Sequence, residues 1–348
     1  MSPRDPDDPH TDKEDRDHPP AERHPSTSPP TDGDRGFHHL PVMAAEIVEV
    51  FAEVPPGFVL DATLGGAGHS ELLLERLPHL SVLGIDRDRW ALAAAQRRLA
   101  RFGERVRTFH CRFDGLEHAM EALSIDSLSG ALFDLGVSSP QLDDPERGFS
   151  YRATAALDMR MDTDQPWTAA DVVNGYSLDD LTRVLHEYGD ERFARRIAAA
   201  IVAARPIEST TELAEIVVGA IPAPARRTGG HPAKRTFQAL RIEVNGELDA
   251  IPGAVRGAVR HTVPGGRIAV LAYHSGEDRL VKEIFREEAT GGCLCPPELP
   301  CVCDAVQTVR IVRTAPKRPS AAEVARNPRA SSARLRVVER IEDTPTRR

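Results

Sequence analysis

The chain has 348 residues, 41% of them hydrophobic, and a formal net charge of −9 at pH 7. That hydrophobic content is sufficient for the buried core of one large domain or two ordinary domains. No apolar run reaches the roughly 18 residues that span a bilayer, and the polar N-terminus lacks the apolar core of a signal peptide, so we expect a soluble cytoplasmic protein.

Residues 1–36 form a separate region by composition. They are rich in Pro, Asp, Arg, Ser and Thr and contain almost no large apolar side chain. Such a segment cannot bury enough surface to offset the entropy that is lost on ordering. We therefore predict a disordered tail that is dispensable for chemistry. Much of the excess negative charge lies in this tail, so the net charge does not by itself indicate a partner.

Residues 43–51 have the spacing of a short amphipathic helix, which leads into the most informative segment of the chain. Over residues 59–70 an apolar strand ends in a glycine-rich turn, and a helix begins at about Ser70. This layout lets backbone N–H groups approach a cofactor closely. The following strand ends in Asp86, where a carboxylate can accept both hydroxyls of a ribose. The segment predicts a nucleoside-type cofactor, with a plain strand-to-helix connection as the alternative.

The turn argues against a dinucleotide and against a nucleoside triphosphate. In the Gly-x-Gly-x-x-Gly fingerprint the third glycine follows the second by three residues, and counting from Gly66 and Gly68 puts Glu71 there. An acid at that position would repel a pyrophosphate, and no Gly-Lys-Ser/Thr follows for a phosphate-binding loop. S-adenosylmethionine has ribose hydroxyls but no phosphate, so it suits this turn together with Asp86.

Helical and strand patterns continue to alternate from residue 82 to residue 134. Such alternation predicts a parallel sheet with right-handed crossovers. Ligands bind beyond the carboxyl ends of the strands in sheets of this kind. Three carboxylates, those of Asp61, Asp86 and Asp134, stand at predicted strand ends and should converge on one crevice.

From residue 148 to residue 261 the alternation stops, and successive helical stripes predict an all-helical insertion. An apolar strand over residues 267–273 resumes the sheet, and a helix follows from Glu277. Two later alternating segments, residues 306–312 and 333–338, could pair as antiparallel edge strands. Arginines crowd the insertion and the C-terminal region, which suits either phosphate contacts or solvated helix faces.

Five further motifs follow the turn in order: Asp-Leu-Gly-Val-Ser-Ser-Pro-Gln-Leu-Asp at residues 134–143, Arg-Gly-Phe-Ser at 147–150, Leu-Asp-Met-Arg-Met-Asp at 157–162, His-Pro-Ala-Lys-Arg-Thr-Phe-Gln-Ala-Leu-Arg at 231–241 and His-Ser-Gly-Glu-Asp-Arg at 274–279. Together with the turn they resemble the bacterial 16S ribosomal RNA cytosine-N4 methyltransferases, the MraW/RsmH family. The resemblance implies an α/β fold, in which a Rossmann-like class I sheet binds S-adenosylmethionine and carries an inserted all-helical domain. It also implies methylation of the exocyclic amine of one cytidine near the ribosomal decoding centre.

The cofactor contacts that the resemblance implies fall on seven positions: Ala67, Gly68 and His69 in the turn, Asp86 at the ribose, Phe113 against the adenine, and Asp134 and Gln141 completing the pocket. Three residues depart from the family pattern. Ala67 replaces a glycine, Tyr273 replaces a phenylalanine and Gly276 replaces a leucine. None of these changes removes a polar contact, so we expect the activity to persist.

The amine of cytosine is a poor nucleophile because its lone pair is delocalised into the ring. An enzyme must hold it in line with the sulfonium methyl group and accept its hydrogen bonds, and the base must first leave any stack. Asp134, or a backbone carbonyl near it, is the candidate acceptor because its loop starts at the cofactor. Arg160, His274 and Asp278 are candidates on the substrate side, with structural hydrogen bonds or ion pairs as an equal alternative.

Four cysteines form a Cys-x-Cys-x5-Cys-x-Cys pattern: Cys293, Cys295, Cys301 and Cys303. Four thiolates could hold a structural zinc ion. The spacing differs from the usual Cys-x2-Cys knuckle, and a loop of reduced thiols is the alternative. No metal ligand is therefore assigned from the sequence.

These interpretations divide the chain into a tail (1–36), a first methyltransferase part with the cofactor site (37–147), a helical insertion on the RNA side (148–261), a second methyltransferase part (262–340) and a tail (341–348). The expected partner is 16S rRNA, within the small ribosomal subunit, and no membrane. The oligomeric state is left open, with a homodimer as one option. Two rival functions are a methyltransferase of similar fold that acts on a small molecule or protein, and a non-catalytic RNA-binding assembly factor.

Overall fold

The computed structural model describes residues 41–227, 230–295 and 302–345, so the predicted tail of residues 1–36 lies outside the described residues. The described strands are β1 (Gly57–Asp61), β2 (Leu80–Asp86), β3 (Val106–His110), β4 (Leu128–Asp134), β5 (Thr262–Ala272), β6 (Val306–Ile311) and β7 (Arg334–Pro345). The described α-helices are α1 (Ala44–Phe51), α2 (Gly68–Arg76), α3 (Arg89–Leu99), α4 (Leu116–Ala122), α5 (Ser139–Asp143), α6 (Ala169–Gly175), α7 (Leu178–Glu187), α8 (Ala194–Ala204), α9 (Thr210–Ala220), α10 (Lys234–Asn245), α11 (Glu247–His261), α12 (Ser275–Thr290) and α13 (Ala321–Arg326). No helix within these ranges is both long enough and apolar enough to cross a membrane.

The seven strands form one sheet in the order β3-β2-β1-β4-β5-β7-β6. Strands β1 to β5 are parallel, and β7 runs antiparallel to both β5 and β6. This confirms the predicted Rossmann-like sheet and the predicted antiparallel edge pair. Strand β7 continues to Pro345, past the predicted end of the domain at residue 340, because β6 supplies partners for its last residues, with Val306 opposite Pro345.

The two faces of the sheet are covered by different helices. Along β4, Ala131 and Phe133 face a core that includes side chains of α4, α11 and α12, whereas Leu132 between them faces a core that includes α1 and α2. Successive side chains of a strand point to opposite faces, so a strand that is covered on both faces reads as a continuous apolar run. The segment around Ala131 has that character in the sequence.

The predicted helical insertion has a hydrophobic core of its own, which runs from Phe149 to Val244 and takes in α6 to α10. Helix α11 does not belong to that core, although it lies within the predicted insertion of residues 148–261. Ile251 and Val255 of α11 pack instead in the core beneath the sheet. The chain passes from the insertion to the helices that cover the sheet at Gly246. This residue has a φ of +56° and lies between α10 and α11.

Hydrogen bonds at the buried residue Asn245 join the insertion to the sheet. The amide of Asn245 accepts a hydrogen bond from the N–H of Met161 at 2.8 Å and donates to the carbonyl of Met159 at 2.7 Å. Arg87, the residue that follows β2, donates to the backbone carbonyl of Asn245 at 2.7 Å. The helical layer is therefore fixed directly beside the carboxyl end of β2.

Candidate functional site

Three carboxylates stand at the carboxyl ends of adjacent strands. Asp61, Asp86 and Asp134 are the last residues of β1, β2 and β4, and β1 lies between the other two strands in the sheet. The three carboxyl groups therefore stand at one edge of the sheet, where the sequence analysis expected them to converge. The three side chains differ in their contacts and in their exposure, and these differences determine what each can do.

The carboxylate of Asp86 is held by two backbone N–H groups. Gly65 of the turn donates to Oδ2 at 2.8 Å, and Asp88 donates to Oδ1 at 2.8 Å. Burial raises the pKa of Asp86 to about 6 in spite of these two donors. At neutral pH the group is thus mostly ionised and fixed in orientation, and each oxygen keeps capacity for a further donor such as a ribose hydroxyl.

The glycine-rich turn brings backbone close to this carboxylate. Gly65 and Ala67 both have positive φ, +49° and +60°, and α2 begins at Gly68, two residues before the predicted start. An alanine in this conformation costs about 1–2 kcal/mol relative to an unstrained one. A Cβ on Gly68 would lie 2.9 Å from Cγ of Pro41, whereas a Cβ on Gly66 would meet nothing within 4 Å. The space beside Gly66 is therefore open.

Glu71, the residue that argued against a pyrophosphate, is turned toward α3. Its carboxylate lies 2.6 Å from Arg98 and 3.0 Å from Arg101. Arg98 also donates to the carbonyl of Gly66 at 3.1 Å and so braces the turn. Since Glu71 neutralises the nearest guanidinium, the turn offers backbone donors without an uncompensated cation for phosphate.

Asp61 and His69 lie beneath the turn. Asp61 is only 2% exposed, and it accepts from the hydroxyl of Ser70 at 2.6 Å. Burial raises the pKa of Asp61, and the hydrogen bond from Ser70 opposes that shift. The ring of His69 is also buried, with Nε2 at 2.9 Å from the carbonyl of Val42. These two side chains brace the turn from below, and Asp61 is not presented to the crevice.

Asp134 faces the crevice and is 28% exposed. Its Oδ1 accepts from the hydroxyl of Tyr273 at 2.6 Å, and its Oδ2 lies 3.6 Å from Nδ1 of His69. Burial, together with the neighbouring carboxylate of Asp134, raises the pKa of Tyr273 well above its ordinary value, so the phenol stays protonated and donates. Tyr273, a departure from the family pattern, therefore adds a contact to the predicted catalytic residue.

A buried ion pair, which sequence reasoning missed, holds the other side of the crevice. Asp88 is 3% exposed, and its Oδ2 accepts from Arg147 at 3.0 Å and from Gln141 at 3.1 Å. The amide oxygen of Gln141 accepts from the N–H of Ser138 at 3.0 Å. Asp88 thereby links the loop after β4 to the start of α3. Asp88 could have been recognised in the sequence from its place at the start of α3, two residues after Asp86.

The remaining candidates are divided between the crevice and the protein framework. Phe113 is half-buried beyond β3 and meets Phe133 edge to face, with ring centroids 6.2 Å apart. Arg160 forms a two-pronged ion pair with Asp158. His274 caps α12 by accepting from the N–H of Gly276 at 3.2 Å. Arg160 and His274 are thus engaged in contacts within the protein.

A groove of about 660 Å³ adjoins the crevice at Tyr273 and runs between α12 and the segment before β7. Five cationic side chains line it: Arg279, Lys282, Arg286, Arg318 and Arg334. Within the described part of the chain none of the five has an ion pair or a hydrogen-bond partner. Asp278, another lining residue, is neutralised by Arg336 at 2.7 and 2.9 Å. The carboxylate of Glu283 also lines the groove, but the five cations outnumber it, so the groove carries a net positive charge. Counting arginines along the sequence could not locate this charge.

The residues of the crevice fit a ribonucleoside cofactor without phosphate. Asp86 presents fixed acceptors suited to vicinal hydroxyls, and the space beside Gly66 is open. Asp134 lies on the side that leads to the groove through Tyr273. This is the geometry expected of a site in which a group on the cofactor meets a polyanionic substrate.

Comparisons with known proteins identify the family of the chain. The model of the family described as the MraW methylase family matches residues 36–341. The "Ribosomal RNA small subunit methyltransferase H" of Symbiobacterium thermophilum is 49% identical over 311 residues, which cover 88% of this chain and 98% of that protein. The protein of the same name from Mycobacterium sp. (strain KMS) is 49% identical over 320 residues, covering 89% and 86%. A solved rRNA methylase from Streptococcus thermophilus has 11% identity and a TM-score of 0.38, with 86% and 94% covered.

Proposed function

Because the chain belongs to the MraW methylase family, we propose that it methylates the N4 amine of a cytidine in 16S rRNA, near the decoding centre of the small ribosomal subunit. The methyl donor is S-adenosylmethionine, which supplies an electrophilic methyl group on its sulfonium. The relatives at 49% identity carry the name of a small-subunit rRNA methyltransferase, which supports the RNA substrate.

The cofactor is held by the turn and by the residues beyond β2 and β3. Ala67, Gly68 and His69 supply backbone contacts, Asp86 accepts the two ribose hydroxyls, and Phe113 lies against the adenine. The hydrogen bonds that fix Asp86 before any ligand binds support its role, since a fixed acceptor loses no orientational freedom on binding. Asp134 and Gln141 complete the pocket, Gln141 by holding the loop that follows β4.

Asp134 is the candidate catalytic residue. In the reaction the lone pair of the cytosine amine attacks the methyl carbon, so that a nitrogen–carbon bond forms while the carbon–sulfur bond breaks and the sulfur keeps the electron pair. Asp134 accepts a hydrogen bond from the amine and takes up its proton as the nitrogen becomes tetrahedral. The phenol of Tyr273 holds the carboxylate in position for that contact.

One observation carries the assignment of an RNA substrate. The side chain of Tyr273 touches Asp134 at 2.6 Å and also lines the groove with its five cations. An RNA strand that lies in the groove with its phosphates against these cations can therefore present a flipped base directly to Asp134. A small uncharged substrate would not require these cations.

The experiment that tests this function is methyl transfer from labelled S-adenosylmethionine to small ribosomal subunits that lack the modification. Mass mapping of the digested RNA then locates the label. We expect a single labelled cytidine, with the added mass on the base. Free 16S rRNA and intact large subunits are the controls for the assembly state and for the choice of subunit.

The rival functions give different results in the same assay. If the cofactor binds but neither subunits nor free RNA acquire label, the protein is a non-catalytic relative and the proposal is wrong. If label appears on a ribosomal protein or on a small molecule, the RNA target is wrong although the reaction class holds. Label on ribose rather than on base would contradict the amine as nucleophile.

A further inference from the structure

A cysteine-rich loop connects α12 to β6, outside the site described above. Cys293 follows the last residue of α12 by three positions, and Cys303 precedes the first residue of β6 by three. Cys295 lies near the start of this loop. Cys301 lies outside the described residues.

The three described sulfur atoms form one cluster. The Sγ atoms of Cys293, Cys295 and Cys303 all lie within 4.8 Å of one another. Cys293 is buried, Cys295 is half-buried and Cys303 is exposed, so the cluster reaches from the protein interior to solvent. Cys293 and Cys303 are ten positions apart in the sequence, yet their sulfur atoms lie close together. The connection between α12 and β6 does not by itself require this proximity.

The backbone at both ends of the loop is fixed. The N–H of Cys293 donates to the carbonyl of Thr290 at 3.2 Å, and Gly292 donates to Glu287 at 2.9 Å. A Cβ on Gly291, which has a φ of +61°, would clash with backbone atoms of Val306. The end of α12 and the start of β6 are therefore in close contact, and they position the cysteines from both sides.

We propose that Cys293, Cys295 and Cys303 bind a zinc ion as thiolates and supply three of its four ligands. Tetrahedral zinc–thiolate sites have Zn–S distances of about 2.3 Å, which puts neighbouring sulfurs about 3.8 Å apart. A spacing within 4.8 Å reaches this value by small side-chain rotations. Each thiol releases its proton on binding, and the ion takes the place of the three protons. This proposal does not depend on the reaction or on the RNA substrate.

The zinc ion would have a structural role. The loop continues α12, and α12 contributes three of the five groove cations, Arg279, Lys282 and Arg286. A metal that closes the loop would fix the C-terminal end of this helix against β6. The free energy of metal binding then contributes to folding, so removal of the metal should lower the thermal stability of the protein.

Elemental analysis of the full-length protein tests the proposal. The protein is purified with zinc in the medium and without a chelator, and we expect about one zinc per chain. Replacement of zinc by cobalt should give intense visible bands of a tetrahedral thiolate site. The variants Cys293→Ser and Cys303→Ser should lose the metal. The matched control is Cys111→Ser, since Cys111 lies after β3 and is not part of the cluster.

Three results would overturn the proposal. The first is a wild-type protein that holds no metal even after zinc is added to the reduced protein. The second is a Cys293→Ser/Cys303→Ser double variant that retains full metal content. The third is a disulfide between clustered cysteines, detected by mass spectrometry in protein purified under reducing conditions. If a serine variant fails to fold, chelation of the wild-type protein followed by a melting curve still tests the proposal. An unchanged Tm after chelation would contradict a structural metal.

Discussion

The cofactor crevice and the cationic groove meet at Tyr273, yet their polar groups are arranged in opposite ways. In the crevice both oxygens of Asp86 already accept backbone hydrogen bonds, and Asp88 and Gln141 are fixed to each other. In the groove, five cations have no partner among the described residues, and four of them are exposed.

This difference matches the two kinds of ligand. A small cofactor is bound best by acceptors that are fixed before it arrives, because little freedom is then lost on binding. A polyanion is bound through many weak contacts along its backbone, and long flexible cations can adapt to it while releasing counterions. The crevice should therefore respond to single atomic changes, whereas the groove should respond to the sum of its charges.

The largest effect is expected from Asp134→Asn. The substitution keeps the size of the side chain but removes its negative charge, so the amine loses its proton acceptor. We expect kcat to fall roughly 100-fold or more, as for the loss of a general base. Single-turnover methyl transfer at saturating cofactor measures it. Asp126→Asn, an exposed acid away from the crevice, is the matched control, and equal loss in both variants would contradict a catalytic role for Asp134.

Asp86→Ala should act on binding rather than on turnover. It removes the acceptor of both ribose hydroxyls, and a hydrogen bond to a charged group is worth about 1.5–3 kcal/mol. We expect the affinity for S-adenosylmethionine to fall by about 100-fold in calorimetry. Turnover at saturating cofactor should change much less. An unchanged affinity would show that the ribose lies elsewhere.

Loss of groove charge should leave the crevice intact. The triple variant Arg279→Ala/Lys282→Ala/Arg286→Ala removes three cations from α12, and we expect affinity for the small subunit to fall by about tenfold or more. The slope of log K against log salt should drop by roughly one for each lost phosphate contact. The matched control is Arg97→Ala on α3, at the other end of the sheet, and an unchanged salt slope in the triple variant would exclude the groove as the RNA site.

The pH dependence of cofactor binding should report on the titration of Asp86. Burial raises its pKa to about 6, so the carboxylate is ionised above that pH and takes up a proton below it. The neutral form is a weaker acceptor for hydroxyls, so affinity should be constant near pH 7 to 8 and fall by up to tenfold per unit below pH 6. Calorimetry across this range measures the effect. In Asp86→Asn the profile should become flat, and a wild-type profile without a step would argue against contact with Asp86.

The sequence predicted the crevice better than the groove, and the reason is physical. Asp86 and Asp134 are placed by strand ends, and a parallel sheet always brings such ends to one edge. The groove instead joins α12 to the segment before β7, and no local pattern tells which arginines lack an ion-pair partner. The same limit explains why α11 was assigned to the insertion. Its apolar stripe predicts a helix but does not say whether that helix covers the sheet or the insertion.

Tyr273→Phe is the smallest of these changes and the sharpest test of the junction between the two regions. It removes only the hydroxyl that donates to Asp134 at 2.6 Å and leaves the aromatic ring in place. A hydrogen bond to a carboxylate is worth about 1.5–3 kcal/mol, but Asp134 is partly exposed, so water can replace the donor and reduce the loss. We expect kcat to fall by no more than about fivefold, with KM for the subunit unchanged, because the groove keeps its cations. A rise in KM without a fall in kcat would mean that Tyr273 belongs to the groove and does not position Asp134.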